Sequence, residues 1–156
     1  MLGSLRHEIR IARSADDVWA RVSDAGALHE WFPGLIACTV DGSTRVITMG
    51  SGISMPEEIL VNDSAQRRFQ YRITAPVFQH HRGTIDVIDL HDGTCLVVYS
   101  TEADPRTMAL VIAGGTNDAL KELVCPNKYI NTQDPADNEY KFLLLHVFIS
   151  PLCAHA

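Results

Sequence analysis

The chain has 156 residues and a formal net charge of -6, with 46% hydrophobic and 21% charged residues. Those values suit one globular domain with a sizeable core. They exclude general nucleic-acid binding, because an acidic chain gains nothing from neutralising phosphates and Arg67-Arg68 is its only adjacent basic pair.

The N-terminal stretch "MLGSLRHEIRIA" carries Arg6, Glu8 and Arg10 where a signal peptide would be apolar. No stretch reaches the roughly 18 apolar residues that a membrane span needs. The expected location is therefore cytoplasmic, with no membrane span. In residues 5–12, Leu5, His7, Ile9 and Ile11 alternate with polar residues, which predicts a strand. Ser14 is placed to cap a short helix, with Asp17 in the capping-box position and Val18, Trp19 and Val22 as its apolar stripe. Asp24 heads a second short helix carrying Leu28, Trp31 and Phe32, and Pro33-Gly34 ends it.

Strands are predicted at about 35–41, 43–50, 53–63, 67–74, 79–90 and 94–103. The breaks between them carry turn residues: Asp41-Gly42-Ser43, Gly50-Ser51-Gly52, Asn62-Asp63-Ser64, Ala75-Pro76 and Asp92-Gly93. Short links imply an antiparallel meander. Asp104-Pro105 opens a helix over about 105–124, roughly 30 Å long at about 1.5 Å per residue. Its expected apolar face holds Met108, Val111, Ile112, Gly115, Ala119 and Leu123. Gly114-Gly115 removes bulk mid-helix, so that a strand or a ligand can approach.

This order is α+β: one strand, two short helices, six strands, one long helix. A curved antiparallel sheet and a single long helix bury each other's apolar faces and leave a hollow between them. The order and four segments resemble the helix-grip fold of the SRPBCC superfamily (START, pollen-allergen-like and polyketide cyclase/dehydrase proteins). The segments are "SADDVWARVSDAGALHEWFPG" at 14–34, "EEILVNDSAQRRFQYRI" at 57–73, "HRGTIDVIDLHDGTCLVVYS" at 81–100 and "DPRTMALVIAGGTNDALKEL" at 104–123. The resemblance implies a seven-stranded sheet wrapped around the C-terminal helix over residues 1–124. It also places the Trp31 corner under the sheet near the pocket mouth, where Trp31 is read as a structural plug, with a ligand clamp as the alternative, and Leu28 and Phe32 belong to the cavity wall.

Alternation then assigns the inner face. Phe69, Tyr71 and Ile73 share one side of their strand, as do His81, Gly83, Ile85 and Val87. Glu57 shares parity with Ile59 and Val61, and Tyr99 with Cys95 and Val97, although Leu96 and Val98 blur that strand. The expected ligand-binding residues are Glu57, Phe69, Tyr71, His81, Val87, Tyr99, Met108 and Ile112. His80 and His81 point to opposite faces and do not share a metal ion. Cys38, Cys95, Cys125 and Cys153 are too widely spaced for a zinc site. No phosphate-loop, dinucleotide or nucleophile-elbow motif occurs. The expectation is therefore no metal and no cofactor.

The leading reading is binding or carriage of a small apolar ligand, lipid-, polyketide- or aromatic-like, between helix and sheet. The alternative is a cyclase/dehydratase-like enzyme using Glu57 or His81 as general base, with Tyr71 or Tyr99 stabilising an oxyanion. Residues 125–156 depart from the resemblance and are expected to form an atypical extension outside the core. Pro126 stops the helix, and "FLLLHVFI" at 142–149 offers an apolar run for a homodimer or other protein contact.

Overall fold

The computed structural model describes residues 1–124, so the expectations for residues 125–156 lie outside the described residues. Strand β1 (Gly3–Ile11) leads into helix α1 (Ala15–Val22) and a 3₁₀ helix (Ala25–Glu30). Six strands follow: β2 (Leu35–Asp41), β3 (Thr44–Met49), β4 (Ser54–Asp63), β5 (Arg68–Ile73), β6 (His80–Asp89) and β7 (Cys95–Asp104). Helix α2 (Arg106–Val124) closes the described chain.

The local signals explain the helical boundaries. Ser14 Oγ accepts from the Asp17 N–H at 3.1 Å, satisfying one of the free donors of α1. Asp24 Oδ1 accepts from the N–H groups of Gly26 and Ala27 at 3.0 and 3.2 Å. The second short helix is 3₁₀ in type, and the Trp31 N–H closes it on the Leu28 carbonyl at 3.2 Å. Helix α2 starts one residue after Pro105, whose carbonyl accepts from the Met108 N–H at 2.9 Å.

All seven strands form one antiparallel sheet in the order β1-β7-β6-β5-β4-β3-β2. The meander β2 to β7 thus returns to the first strand, and α1 with the 3₁₀ helix carries the chain across to the far edge. Helix α2 lies along β1 and β7. Gly3 permits that contact, because a Cβ there would stand 2.5 Å from the Arg106 carbonyl oxygen. With seven strands, two short helices and one long helix among the described residues, this is the helix-grip form of the α+β class.

Two expectations need correction. The register slips between Ile59 and Val61, so Val61 pairs with Gln70 rather than following Glu57 and Ile59 onto the inner face. An extra residue in β4 reverses the alternation beyond it. On α2 the buried residues are Met108, Ala109, Thr116, Ala119, Leu120 and Leu123, while Val111 is only half-buried. Thr116 tolerates the inner position because its hydroxyl donates to the Ala113 carbonyl at 3.0 Å.

Candidate functional site

The inner face of the sheet brings together every polar residue that alternation assigned to it. In β7 the alternation is unbroken: Cys95, Val97, Tyr99, Thr101 and Ala103 are buried and the residues between them are not. Strand β6 buries His81, Gly83, Ile85 and Val87 in the same way, and His80 turns outward, 3.8 Å from Glu102. Phe69, Tyr71 and Ile73 are buried from β5, and Met108 from α2, while Ile112 is partly buried against the same core.

Glu57 is 3% exposed, and its partner is a residue that the pattern of apolar positions did not mark. Arg45 on β3 stands directly opposite it, is 2% exposed, and donates from Nε to Glu57 Oε2 at 2.7 Å. The Arg45 guanidinium carbon lies 5.2 and 5.0 Å from the ring centroids of Phe69 and Tyr71, so two aromatic faces help to hold the charge. Burial works against the Arg45 charge, but Glu57 and the neighbouring tyrosine oxygens push its titration up, so it stays protonated. Burial pushes the Glu57 carboxyl up as well, and the charge and hydrogen bond of Arg45 only partly hold it back.

The two tyrosines form a second buried pair, with Tyr71 Oη and Tyr99 Oη 2.6 Å apart. Burial raises the titration of both, so both are neutral phenols. The Tyr71 ring reaches Tyr99 by lying across Gly83, where a Cβ would stand 2.3 Å from the ring. Only a glycine on β6 admits that close approach.

His81 does not pair with Glu57. Its Nδ1 accepts the Ile73 N–H at 3.0 Å, and its ring sits 5.4 Å from that of Tyr71 and 5.3 Å from that of Phe78. Burial, with repulsion from His80, lowers its titration from 6.5 to about 4. The ring is therefore neutral at pH 7, and the bond at Nδ1 assigns its proton to Nε2. That Nε2 is buried without a partner among the described residues, as are Trp31 Nε1, Thr101 Oγ1 and His7 Nε2.

The aromatic corner belongs to the same core. Trp31 is 2% exposed within the core, and the Phe32 ring lies against Gly115, where a Cβ would come within 3.2 Å. The gap in α2 thus receives a side chain from this corner, whereas Gly114 faces open space. Cys38 and Cys95 are free thiols whose titration burial pushes up, which argues against a nucleophilic role. No cluster that could hold a metal ion occurs among the described residues. A depression of about 540 Å³ on the outer face is lined mainly by polar and charged groups, including Arg6, Arg82 and an Arg68–Asp86 ion pair. It lacks the apolar wall of a ligand pocket.

A seven-stranded antiparallel sheet gripping one C-terminal helix, with a polar cluster sealed on its inner face, defines a START-like helix-grip protein. The chain belongs to the polyketide cyclase / dehydrase and lipid transport family, whose model matches residues 3–125. No curated protein matches the chain. Among solved structures, protein XoxI from Bacillus cereus is similar with a TM-score of 0.72 and 21% identity, over 78% of this chain and 93% of that one. A START superfamily protein from Mycobacterium smegmatis gives a TM-score of 0.63 and 16% identity over 78% of this chain and 96% of that one. Norcoclaurine synthase from Thalictrum flavum, in complex with dopamine and hydroxybenzaldehyde, gives 0.62 and 21% over 82% and 89%. Likenesses at this identity carry the fold alone. No described helix is long and apolar enough to cross a membrane.

Proposed function

We propose that the chain binds or carries a small apolar ligand, lipid-, polyketide- or aromatic-like, between α2 and the inner face of the sheet. Phe69, Tyr71, Val87, Met108 and Ile112 would supply apolar contact, while Glu57, His81 and Tyr99 would orient the ligand. One observation carries this reading: His81 Nε2 and Thr101 Oγ1 are buried without partners among the described residues. A buried polar atom left alone costs about 1–3 kcal/mol, and a ligand group that meets it recovers the loss. Sparse polar groups in an apolar enclosure are what an oriented apolar ligand needs.

A second reading is supported by the raised Glu57 carboxyl and the neighbouring Tyr71–Tyr99 pair. A carboxylate of elevated basicity beside phenolic donors suits a cyclase or dehydratase, as general base and oxyanion donors. Arg45 weakens that reading by occupying Glu57 Oε2, and His81, titrating at about 4, is a feeble base at neutral pH.

Native mass spectrometry of the purified protein separates the outcomes. The expected result is a co-purifying mass that denaturation releases unchanged. Ligand-free protein that also takes up no apolar probe refutes the binding reading. Chemical conversion of the released compound by wild type, lost in Glu57→Gln, favours the enzyme.

A further inference from the structure

We propose that the ligand is an apolar acid, a carboxylate in the simplest case, and that its acid group takes Arg45 in exchange for Glu57. The inference deepens the ligand-binding reading and rests on it.

The hydrogen-bonding balance of the interior carries the argument. A guanidinium has about five N–H donors, and Arg45 makes one hydrogen bond among the described residues, through Nε. Its terminal N–H groups have no such partner there, although the residue is 2% exposed. In the Tyr71–Tyr99 pair one hydroxyl donates to the other, which leaves one O–H proton unspent. His81 accepts at Nδ1, so its unpartnered Nε2 is a donor. The unpartnered Trp31 Nε1 is a donor by constitution. Thr101 Oγ1 and His7 Nε2 serve either way, and Glu57 Oε1 is a fixed acceptor that makes no hydrogen bond among the described residues, so the unspent side-chain donors outnumber it on this face. An interior with surplus donors and one buried cation matches a ligand group that only accepts, and an ionised acid is that group.

Glu57 completes the exchange. Its burial already disfavours the ionised form, so an incoming carboxylate beside Arg45 is met by proton uptake at Glu57. The acid proton comes from solvent, no covalent bond forms, and the buried net charge is unchanged. The other titratable groups facing the pair are Cys38 on β2, Tyr71 on β5 and Tyr99 on β7. Burial pushes all three up, so they stay protonated near neutral pH. His81 on β6 stays neutral there.

The test uses two fluorescent probes on one arylamine frame: 8-anilinonaphthalene-1-sulfonate, a monoanion, and N-phenyl-1-naphthylamine, its neutral counterpart. Affinities are measured for wild type, Glu57→Gln and the double variant Arg45→Met/Glu57→Gln, with circular dichroism confirming the fold. Removing the competing carboxylate should raise the anion-to-neutral affinity ratio by about tenfold, and removing Arg45 as well should reverse that gain, as expected of a charge-assisted hydrogen bond. Calorimetry in phosphate and Tris should show wild type taking up a proton with the anion, and Glu57→Gln taking up none. A ratio constant within about twofold across the three proteins, or no proton uptake in wild type, overturns this inference alone when the neutral probe binds. Failure of both probes to bind wild type overturns the ligand-binding reading and this inference with it.

Discussion

His81 makes the fold sensitive to mild acid, and the size of the effect follows from its surroundings. Burial and the neighbouring His80 lower its titration in the folded chain from 6.5 to about 4. Between those values the unfolded chain holds the proton and the folded chain does not, so stability rises with pH through this window. The contribution is present in full above pH 6.5 and is lost as pH falls toward 4. At about 1.4 kcal/mol per unit, the drop amounts to about 3 kcal/mol. The perturbation is His81→Asn, whose side-chain oxygen can accept the Ile73 N–H in place of Nδ1 but does not titrate. Urea unfolding of both proteins from pH 7 to pH 4 gives the difference directly. Glu57, raised by burial, contributes a slope of the opposite sign, but it is common to both proteins and cancels. The wild type should lose about 3 kcal/mol more than the variant across the interval. A difference that stays flat with pH would show that His81 is not sealed from water, and the reasoning would fail.

The glycine pair in α2 should respond in opposite ways to alanine. Gly114→Ala, facing open space, should stabilise the protein by up to about 1 kcal/mol, and Gly115→Ala, against Phe32, should gain less or lose stability in thermal unfolding. Gly83→Ala should destabilise by at least about 1–3 kcal/mol, because the Tyr71 ring occupies the space of the added methyl group. Trp31→Ala should cost roughly 3–5 kcal/mol as a truncation in the core. Intact stability with lost probe binding in that variant would make Trp31 a ligand clamp and not a plug.

Most of the fold was legible because its signals are local. Turn residues separate the strands, Ser14 and Asp24 cap their helices, and the alternation in β5, β6 and β7 assigns Phe69, Tyr71, His81 and Val87 to one face. Glu57 was legible on the same grounds, but Arg45 was missed, since a charged residue in a short strand reads as solvated. The missing signal was the hairpin: a buried carboxylate requires a partner, and Arg45 shares parity with Ile47 on the adjacent strand. Val61 was misplaced because a bulge depends on pairing across strands and leaves no trace in one strand's pattern. The orientation of α2 was blurred for another reason. Thr116 hides its polarity in a bond to its own helix, which composition does not reveal.

The position of Arg45 opposite Glu57 has a consequence for assembly of the sheet. Apolar side chains tolerate a sliding neighbour, and an early β3–β4 hairpin held only by Ile47 and Met55 could shift by a residue at small cost. A shift of one residue turns one strand's inner set outward, so that one of the two charges enters the core without its counter-ion. Leaving one such charge unpaired costs about 3–5 kcal/mol, a large share of the stability of a domain this size. The ion pair therefore acts as a ratchet on strand alignment: it adds little to the finished fold compared with an apolar pair, yet it makes the neighbouring alignments untenable.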